Sequence, residues 1–240
     1  FINFNCFHFI YEFIFFYIFK LIVIVRIMEH IFYINLDTAH DRRVKFLGKG
    51  YFRWDAVGRN EVPEDVDKKM ISMHNYPRQA HLGRCGCFCS HMELYHYIVE
   101  MKLNKCLILE DDAVLVKDVP TKYPDDGIIY LGGFFHHSKM MDNSPVKITM
   151  TDGMNYLDPK YRILMTMSYI IPKWEICKEI IDNVEMKTRY RAIDIMLGNM
   201  AINKYYEYPA CFVEEGIESE IIAKKQKKSN QFYRWVSIKN

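Results

Sequence analysis

The chain has 240 residues, of which half are hydrophobic and about a quarter carry a charge. These proportions are ordinary for a globular protein, and the length is enough for one large domain with a core of its own. Lys and Arg number 32 against 30 Asp and Glu, so the net charge of +2 excludes the strongly basic surface that nucleic-acid-binding proteins present.

Residues 1–27 differ in composition from the rest, and eight of the 16 phenylalanines lie before residue 20. The apolar content suits a membrane span, although Glu12 and Lys20 interrupt it. The nearest basic residues lie downstream, which would keep the following domain cytoplasmic. The first methionine is Met28, so translated upstream sequence is one alternative and a packed terminal segment another. We expect a cytoplasmic protein, membrane-anchored only if residues 1–27 belong to it.

Residues 30–36 form the first predicted strand, because they are rich in β-branched and aromatic side chains. Arg42 and Arg43 follow in a short predicted helix near the carboxyl end of that strand, where guanidinium groups are suited to phosphate. Ordinary surface arginines are the alternative. A second strand is predicted over residues 51–58. Residues 59–81 are polar and predict a long loop or short helices, of a length that tends to be functional.

Residues 83–93 mark a predicted helix start. Ser90 followed by Glu93 is a capping-box pattern, which predicts a helix from Ser90 to about Lys102. The glycines before Ser90 let the backbone come close to a ligand at the positive end of this helix. The same segment holds alternating cysteines and a histidine, which suit a zinc site only weakly because structural zinc sites usually use two separated ligand pairs. The seven cysteines contain no Cys-x-x-Cys pair, which favours reduced, buried thiols.

Residues 105–115 are the most informative stretch. Four apolar residues run directly into Glu110, Asp111 and Asp112, as expected of a buried parallel strand that ends at a ligand site. Three adjacent carboxylates repel one another, so burying them favours a divalent cation or a cationic partner. A solvated acidic turn is the alternative.

The rest of the chain continues the alternation of strands and helices. A polar loop is expected over residues 138–160, and Asp194 lies at or near a predicted helix N-cap. The predicted strands cover residues 126–133, 162–171 and 205–213, and the predicted helices cover 174–181 and 195–202. The alternation predicts an α/β fold with a mostly parallel sheet.

Together these stretches resemble glycosyltransferase family 25, the lipopolysaccharide and procollagen galactosyltransferase group. The resemblance covers nearly all of residues 30–221 in the family's order. The matching motifs are Ile34–Asp37 with Asp41–Arg43, Ala56–Gly58, Gly83–His91, Ile108–Asp112, Ser168–Ile171, Asp194 and Ser219–Ile221.

The resemblance implies a GT-A-like fold, with a Rossmann-like, mostly parallel sheet flanked by helices, over residues 28–223. A basic tail follows at 224–240. It further implies a UDP-sugar donor, a glycan or hydroxylysine-type acceptor, and Mn²⁺ (or Mg²⁺) as cofactor. In GT-A enzymes the first and last acids of such a cluster usually face the ligand, so the resemblance implies Asp112, and with it Glu110, as the metal ligands. Alternation along a strand also places these two on one face.

Family members invert the anomeric carbon, which requires one general base. Asp194 is the candidate, and a plain helix cap is its alternative. The donor side of the site is assigned four residues, namely Asn35, Arg43, His91 and Asp111. Within this group, the Asp111 side chain is expected to face the protein scaffold.

Two departures from the family pattern matter. Arg84 replaces a glutamate, which reverses a charge beside the site, and Met165 stands where a glycine is usual. Both leave open that the protein is a catalytically inactive relative that binds sugar or nucleotide.

A metal-dependent phosphodiesterase is a third interpretation of the function, which the near-neutral net charge disfavours. Galactose is the expected donor sugar, with glucose as its competitor.

Overall fold

The structure is a computed structural model that describes residues 28–71, 76–137 and 150–214. No helix within these ranges combines the length and apolar character that crossing a membrane requires. Some predicted features lie outside the described residues: segment 1–27, most of the loop 138–160, the motif at 219–221 and the tail 224–240.

A seven-stranded sheet forms the centre of the domain, with the strand order β2-β1-β3-β9-β5-β10-β7. Five of these strands run in one direction, whereas β9 and β7 run against their neighbours. Two small sheets, β4 with β11 and β6 with β8, lie beside it. The predicted α/β class with a mostly parallel sheet is confirmed. The strands are β1 His30–Asn35, β2 Phe52–Asp55, β3 Cys106–Glu110, β4 Ala113–Leu115, β5 Gly127–Tyr130, β6 Phe134–His137, β7 Gly153–Tyr156, β8 Tyr161–Leu164, β9 Ser168–Ile171, β10 Asn203–Tyr208 and β11 Phe212–Glu214.

The helices cover the sheet and carry several site residues. A 3-10 turn follows the first helix, and the third helix is by far the longest. The helices are α1 His40–Arg43, α2 Glu64–Lys69, α3 Arg78–Glu100, α4 Trp174–Glu185 and α5 Ile193–Asn199.

The predicted start of α3 at Ser90 is wrong, because the helix begins at Arg78, directly after Pro77. Ser90 lies in the helix interior, where its Oγ donates to the Gly86 carbonyl at 2.7 Å and accepts from the Val57 N–H at 2.8 Å. A Cβ on Gly86 would lie 2.4 Å from the Val57 carbonyl oxygen. Gly86 therefore serves close helix–loop packing and does not precede a cap.

The core has one layer on each face of the sheet. Along β3, Cys106 and Ile108 pack on the face that carries α3, α4 and α5, while Leu107 and Leu109 pack on the opposite face. All four side chains are almost fully buried, and burying one leucine-sized side chain contributes about 1.5–3 kcal/mol. Because β3 is buried on both faces, its carboxyl end at Glu110 is fixed firmly in place.

Candidate functional site

A pocket lies at the carboxyl ends of β1 and β3, the edge at which open α/β sheets bind ligands. Its volume is about 120 Å³. The side chains around it come from β1, α1, the segment after β2, α3 and the turn after β3. Those used below are Arg42, Arg59, Cys87, His91, Glu110, Asp111 and Asp112.

Strand β3 ends at Glu110, so Asp111 and Asp112 lie in the turn between β3 and β4. Strand alternation therefore does not extend to Asp111 and Asp112, and it cannot be what directs the three carboxylates. The turn has its own hydrogen bonds, and these decide where each carboxylate is directed.

Asp111 is held by the protein itself. Its carboxylate accepts a hydrogen bond from Asn35 Nδ2 at 2.8 Å and forms an ion pair with Arg42 at 2.8 Å. Asn35 is 1% exposed, and its carbonyl oxygen Oδ1 accepts from Arg43 Nε at 3.2 Å. The structure therefore places Asp111 and Asn35 together as a support beneath the pocket.

Asp112 differs from Asp111 in having a buried oxygen without a partner. The residue is 7% exposed, and its Oδ1 makes no hydrogen bond within the described ranges. Burial, and then the negative charges of Glu110 and Asp111, raise the pKa of Asp112 to about 7. Because an unpaired buried carboxylate is costly, a cation bound beside this oxygen would offset that cost.

Glu110 lines the same pocket, and unlike the Asp112 Oδ1 its carboxylate has side-chain partners. Its Oε1 accepts from Thr166 Oγ1 at 2.6 Å and lies 3.4 Å from His91 Nε2. Burial by itself raises the pKa of Glu110, but the hydrogen bond and charge of His91, with smaller contributions from Thr166 and Arg42, bring that pKa below its usual value. Glu110 is therefore an ionised, oriented carboxylate beside Asp112.

Glu214 is a fourth carboxylate that the sequence analysis missed. Antiparallel pairing of β11 with β4 aligns Glu214 with Ala113, next to Asp112 in the chain. The negative charge of Glu214 contributes to the raised pKa of Asp112, which shows that the two are close. The local sequence gives no signal for this, because only strand pairing brings the two segments together.

These residues fit a hard divalent cation. Glu110 and Asp112 offer carboxylate oxygens, the ligand type that Mn²⁺ and Mg²⁺ prefer, and the charge of Glu214 acts on Asp112 from nearby. The unpartnered Oδ1 of Asp112 is the specific observation that supports the fit.

His91 is fully buried at the back of the pocket. Its Nδ1 lies 2.7 Å from Tyr169 Oη, which in turn lies 2.7 Å from Tyr95 Oη. This chain of polar groups fixes the orientation of the imidazole ring and directs Nε2 towards Glu110. A direct contact of His91 with the donor stays a prediction.

The two predicted arginines take different positions. Arg42 lines the pocket, whereas Arg43 donates to Asn35 and to Asp37 and does not line it. A donor contact from Arg43 stays a prediction. Arg59, which the sequence analysis placed in the polar loop without a role, lines both this pocket and its neighbour.

The neighbouring pocket has a volume of about 760 Å³ and shares Leu36, Ala56, Val57 and Arg59 with the first. It extends over the carboxyl end of β2. The two pockets therefore adjoin along this edge of the sheet, and together they are called the groove below.

Asp194 lies in the first turn of α5, whose N-cap is Ala192. Its two carboxylate oxygens accept from the N–H of Ile195 at 2.7 Å and of Met165 at 3.3 Å. Burial raises the pKa of Asp194, against these backbone hydrogen bonds, with a further increase from Glu110 and a decrease from Arg84. Backbone hydrogen bonds therefore hold the Asp194 carboxylate in place, and the charges of Glu110 and Arg84 shift its pKa in opposite directions.

Arg84 is 7% exposed, and its Nη1 has no hydrogen-bond partner within the described ranges. Its guanidinium lies over the ring of Tyr76, 5.5 Å from the ring centroid. The charge reversal noticed in the sequence therefore places a buried cation near Asp194.

Met165 has a φ of +64°, a left-handed conformation that costs a residue with a Cβ about 1–2 kcal/mol. This explains why glycine suits the position. Met165→Gly is expected to stabilise the protein by up to about 1 kcal/mol, because relief of the strained φ exceeds the entropy that glycine adds to the unfolded chain. Urea unfolding measures the change.

Met165→Ala is the matched control, because alanine keeps the Cβ and therefore the strain. If Met165→Ala raises the free energy of unfolding as much as Met165→Gly does, the backbone explanation is wrong.

Comparison with known proteins identifies relatives. A family model described as "Glycosyltransferase family 25 (LPS biosynthesis protein)" matches residues 28–197. A "Glycosyltransferase 25 family member" from Drosophila pseudoobscura pseudoobscura is 32% identical over 167 residues, covering 60% of this chain and 26% of the relative. "Procollagen galactosyltransferase 2" from Mus musculus is 26% identical over 170 residues, with the same two coverages. The chain spans about a quarter of the length of these curated relatives.

Proposed function

This chain belongs to glycosyltransferase family 25, and on that premise we propose that it moves a hexose from a UDP-sugar to a hydroxyl group of an acceptor, with inversion. Galactose is the proposed sugar, in keeping with the name of the murine relative. The observation that carries the proposal is the buried, unpartnered Oδ1 of Asp112 beside Glu110 at the carboxyl edge of the sheet.

The groove suits a nucleotide sugar. We assign the diphosphate and sugar to the smaller pocket and the nucleoside to the larger one. Arg42 and Arg59 line the smaller pocket, and guanidinium groups bind phosphate oxygens in a fork geometry. The same pocket also carries Glu110, Asp111 and Asp112, so the doubly charged diphosphate requires a cation beside these carboxylates.

Glu110 and Asp112 are the residues that would hold Mn²⁺ or Mg²⁺. When bound, such an ion acts as a Lewis acid that neutralises charge on the leaving diphosphate. Asn35 and Arg42 support this arrangement by fixing Asp111, which keeps the β3–β4 turn in one conformation.

Asp194 is the proposed general base. Its carboxylate takes the proton from the acceptor hydroxyl while the hydroxyl oxygen attacks the anomeric carbon, and the bond from that carbon to UDP breaks on the opposite side. The N–H groups of Ile195 and Met165 keep the carboxylate in position. The acceptor is proposed to be a glycan or a hydroxylysine-type side chain.

The transferase proposal is tested by incubating the full chain with a panel of UDP-sugars, Mn²⁺ and candidate acceptors while UDP release is measured. Release that needs one sugar donor and Mn²⁺ is expected. Donor binding without release would favour the inactive relative that the Arg84 and Met165 departures allow. Cleavage of nucleic acid without UDP release would favour a phosphodiesterase.

Arg84 is expected to set the pH dependence of the reaction through Asp194. A base works only when ionised, and the positive charge of Arg84 lowers the otherwise raised pKa of Asp194. In Arg84→Gln that pKa rises further, so the acidic limb of the rate profile moves to higher pH and activity falls first in mildly acidic buffer.

The rate of UDP release between pH 5 and 8 (chosen to span the acidic limb) measures this shift. Arg84→Lys is the control, because it keeps the charge and should keep the profile of the unchanged chain. A uniform loss of rate at every pH in Arg84→Gln would show that Arg84 acts only on structure.

A further inference from the structure

Three side chains of different chemistry meet at the inner wall of the pocket. Cys87 and His91 lie one helical turn apart on α3 and therefore on the same face. Glu110 lies opposite them at the end of β3. One ligand atom from each residue lies within 4.8 Å of the other two. We propose that Cys87, His91 and Glu110 form a binding site for a zinc-class divalent cation.

The ligand types of this cluster favour zinc over Mn²⁺ or Mg²⁺. Because Glu110 is also a proposed Mn²⁺ ligand, the two ions would compete for it. Thiolate and imidazole ligands select softer ions, whereas Mn²⁺ and Mg²⁺ prefer oxygen ligands alone. Ligands bound to tetrahedral zinc lie roughly 3.5 Å from one another, since the bonds are about 2.0–2.3 Å long. Small side-chain movements would therefore close the observed cluster around one ion.

The surroundings of the ligands favour metal binding. His91 directs Nδ1 to Tyr169 Oη at 2.7 Å and Nε2 towards Glu110 Oε1 at 3.4 Å, so a bound ion would replace this long contact between the two ligands. Thr166 orients Glu110 through the hydrogen bond at 2.6 Å. Outer contacts of this kind raise metal affinity in known sites by about 10- to 100-fold.

A second observation points to a cation in the same pocket. Asp112 is more than nine-tenths buried and has an Oδ1 without a hydrogen-bond partner in the described ranges. Burial, and then the negative charges of Glu110, Asp194 and Asp112, raise the pKa of the Cys87 thiol, so the thiol stays protonated until a cation binds. When the metal–sulfur bond forms, the thiol proton passes to the buffer, and the step needs no oxidant or reductant.

A comparable cluster elsewhere is less suitable. Asp67, His81 and Cys85 also bring three ligand atoms within 4.8 Å of one another. Both carboxylate oxygens of Asp67, however, are bound by the guanidinium of Arg78, so a cation would have to displace another positive charge. Among the described residues, the cluster in the pocket is therefore the better zinc site.

The proposal is tested with Co²⁺, a spectroscopic substitute for Zn²⁺, added to the metal-free full chain. We expect one equivalent to give a thiolate-to-cobalt absorption band that Zn²⁺ abolishes. Cys87→Ser should remove the band and weaken Zn²⁺ binding by at least about 100-fold. Cys85→Ser and Cys89→Ser remove buried thiols on the same helix and should leave the band intact.

A second measurement on the unmodified chain avoids any folding defect in the variants. Zn²⁺ should protect one cysteine from alkylation, and peptide mass spectrometry should identify it as Cys87. No cobalt band, a band that survives Cys87→Ser, or protection of Cys85 instead would overturn the proposal. These readouts do not depend on sugar transfer, so they stand whether or not the chain is a transferase.

Discussion

Asp112→Asn is expected to reduce Mn²⁺-dependent UDP release by about 1,000-fold. The exchange keeps the size of the side chain but removes a charged ligand, and metal-derived stabilisation of the leaving group amounts to several kcal/mol. Measuring the rate against Mn²⁺ concentration, together with Mn²⁺ binding by electron paramagnetic resonance, separates loss of the ion from loss of the fold.

Asp111→Asn is the matched control, because Asp111 stands next to Asp112 but is held by Asn35 and Arg42. This change should mainly lower stability, by about 1.5–3 kcal/mol, since hydrogen bonds to a charged group are lost. Urea unfolding measures that loss. If Asp111→Asn weakens Mn²⁺ binding more than Asp112→Asn does, the two carboxylates have been assigned the wrong roles.

Asp194→Asn is expected to lower kcat for transfer by about 100- to 10,000-fold, the range over which general bases contribute. Donor binding should change little, because an amide cannot take the proton but occupies the same space. Stopped UDP-release assays give kcat, and calorimetry with the UDP-sugar and Mn²⁺ gives the donor affinity.

Asp126→Asn provides the comparison for Asp194→Asn. Asp126 accepts two hydrogen bonds, from the side chains of Tyr205 and Asn203. Neither Asp194 nor Asp126 lines the pocket, but Asp126 precedes the amino end of β5 and is therefore away from the carboxyl edge that carries the site. It should lose stability without losing kcat. If Asp194→Asn instead transfers sugar at the rate of the unchanged chain and is only less stable, Asp194 is a structural residue and the base lies elsewhere.

Much of the fold followed from local patterns. Short apolar runs that end in a charged residue or glycine predicted the central strands, because the apolar residues of a buried strand are contiguous in the sequence. The motif order predicted glycosyltransferase family 25, which the family model confirms over residues 28–197. The error at Ser90 arose because a capping-box pattern is also compatible with a helix interior, where Ser90 bonds Gly86 and Val57.

The sequence by itself determined the α/β class, the family and the acidic cluster at Glu110–Asp112, since each depends on neighbouring residues. Only the tertiary structure decided which groups surround that cluster. Arg42 rather than Arg43 faces Asp111 because consecutive residues of a helix differ by about 100° in direction. Glu214 joins the site through the pairing of β11 with β4, and Cys87 joins it through the packing of α3 against β3. These contacts link residues far apart in the chain, so no local pattern records them.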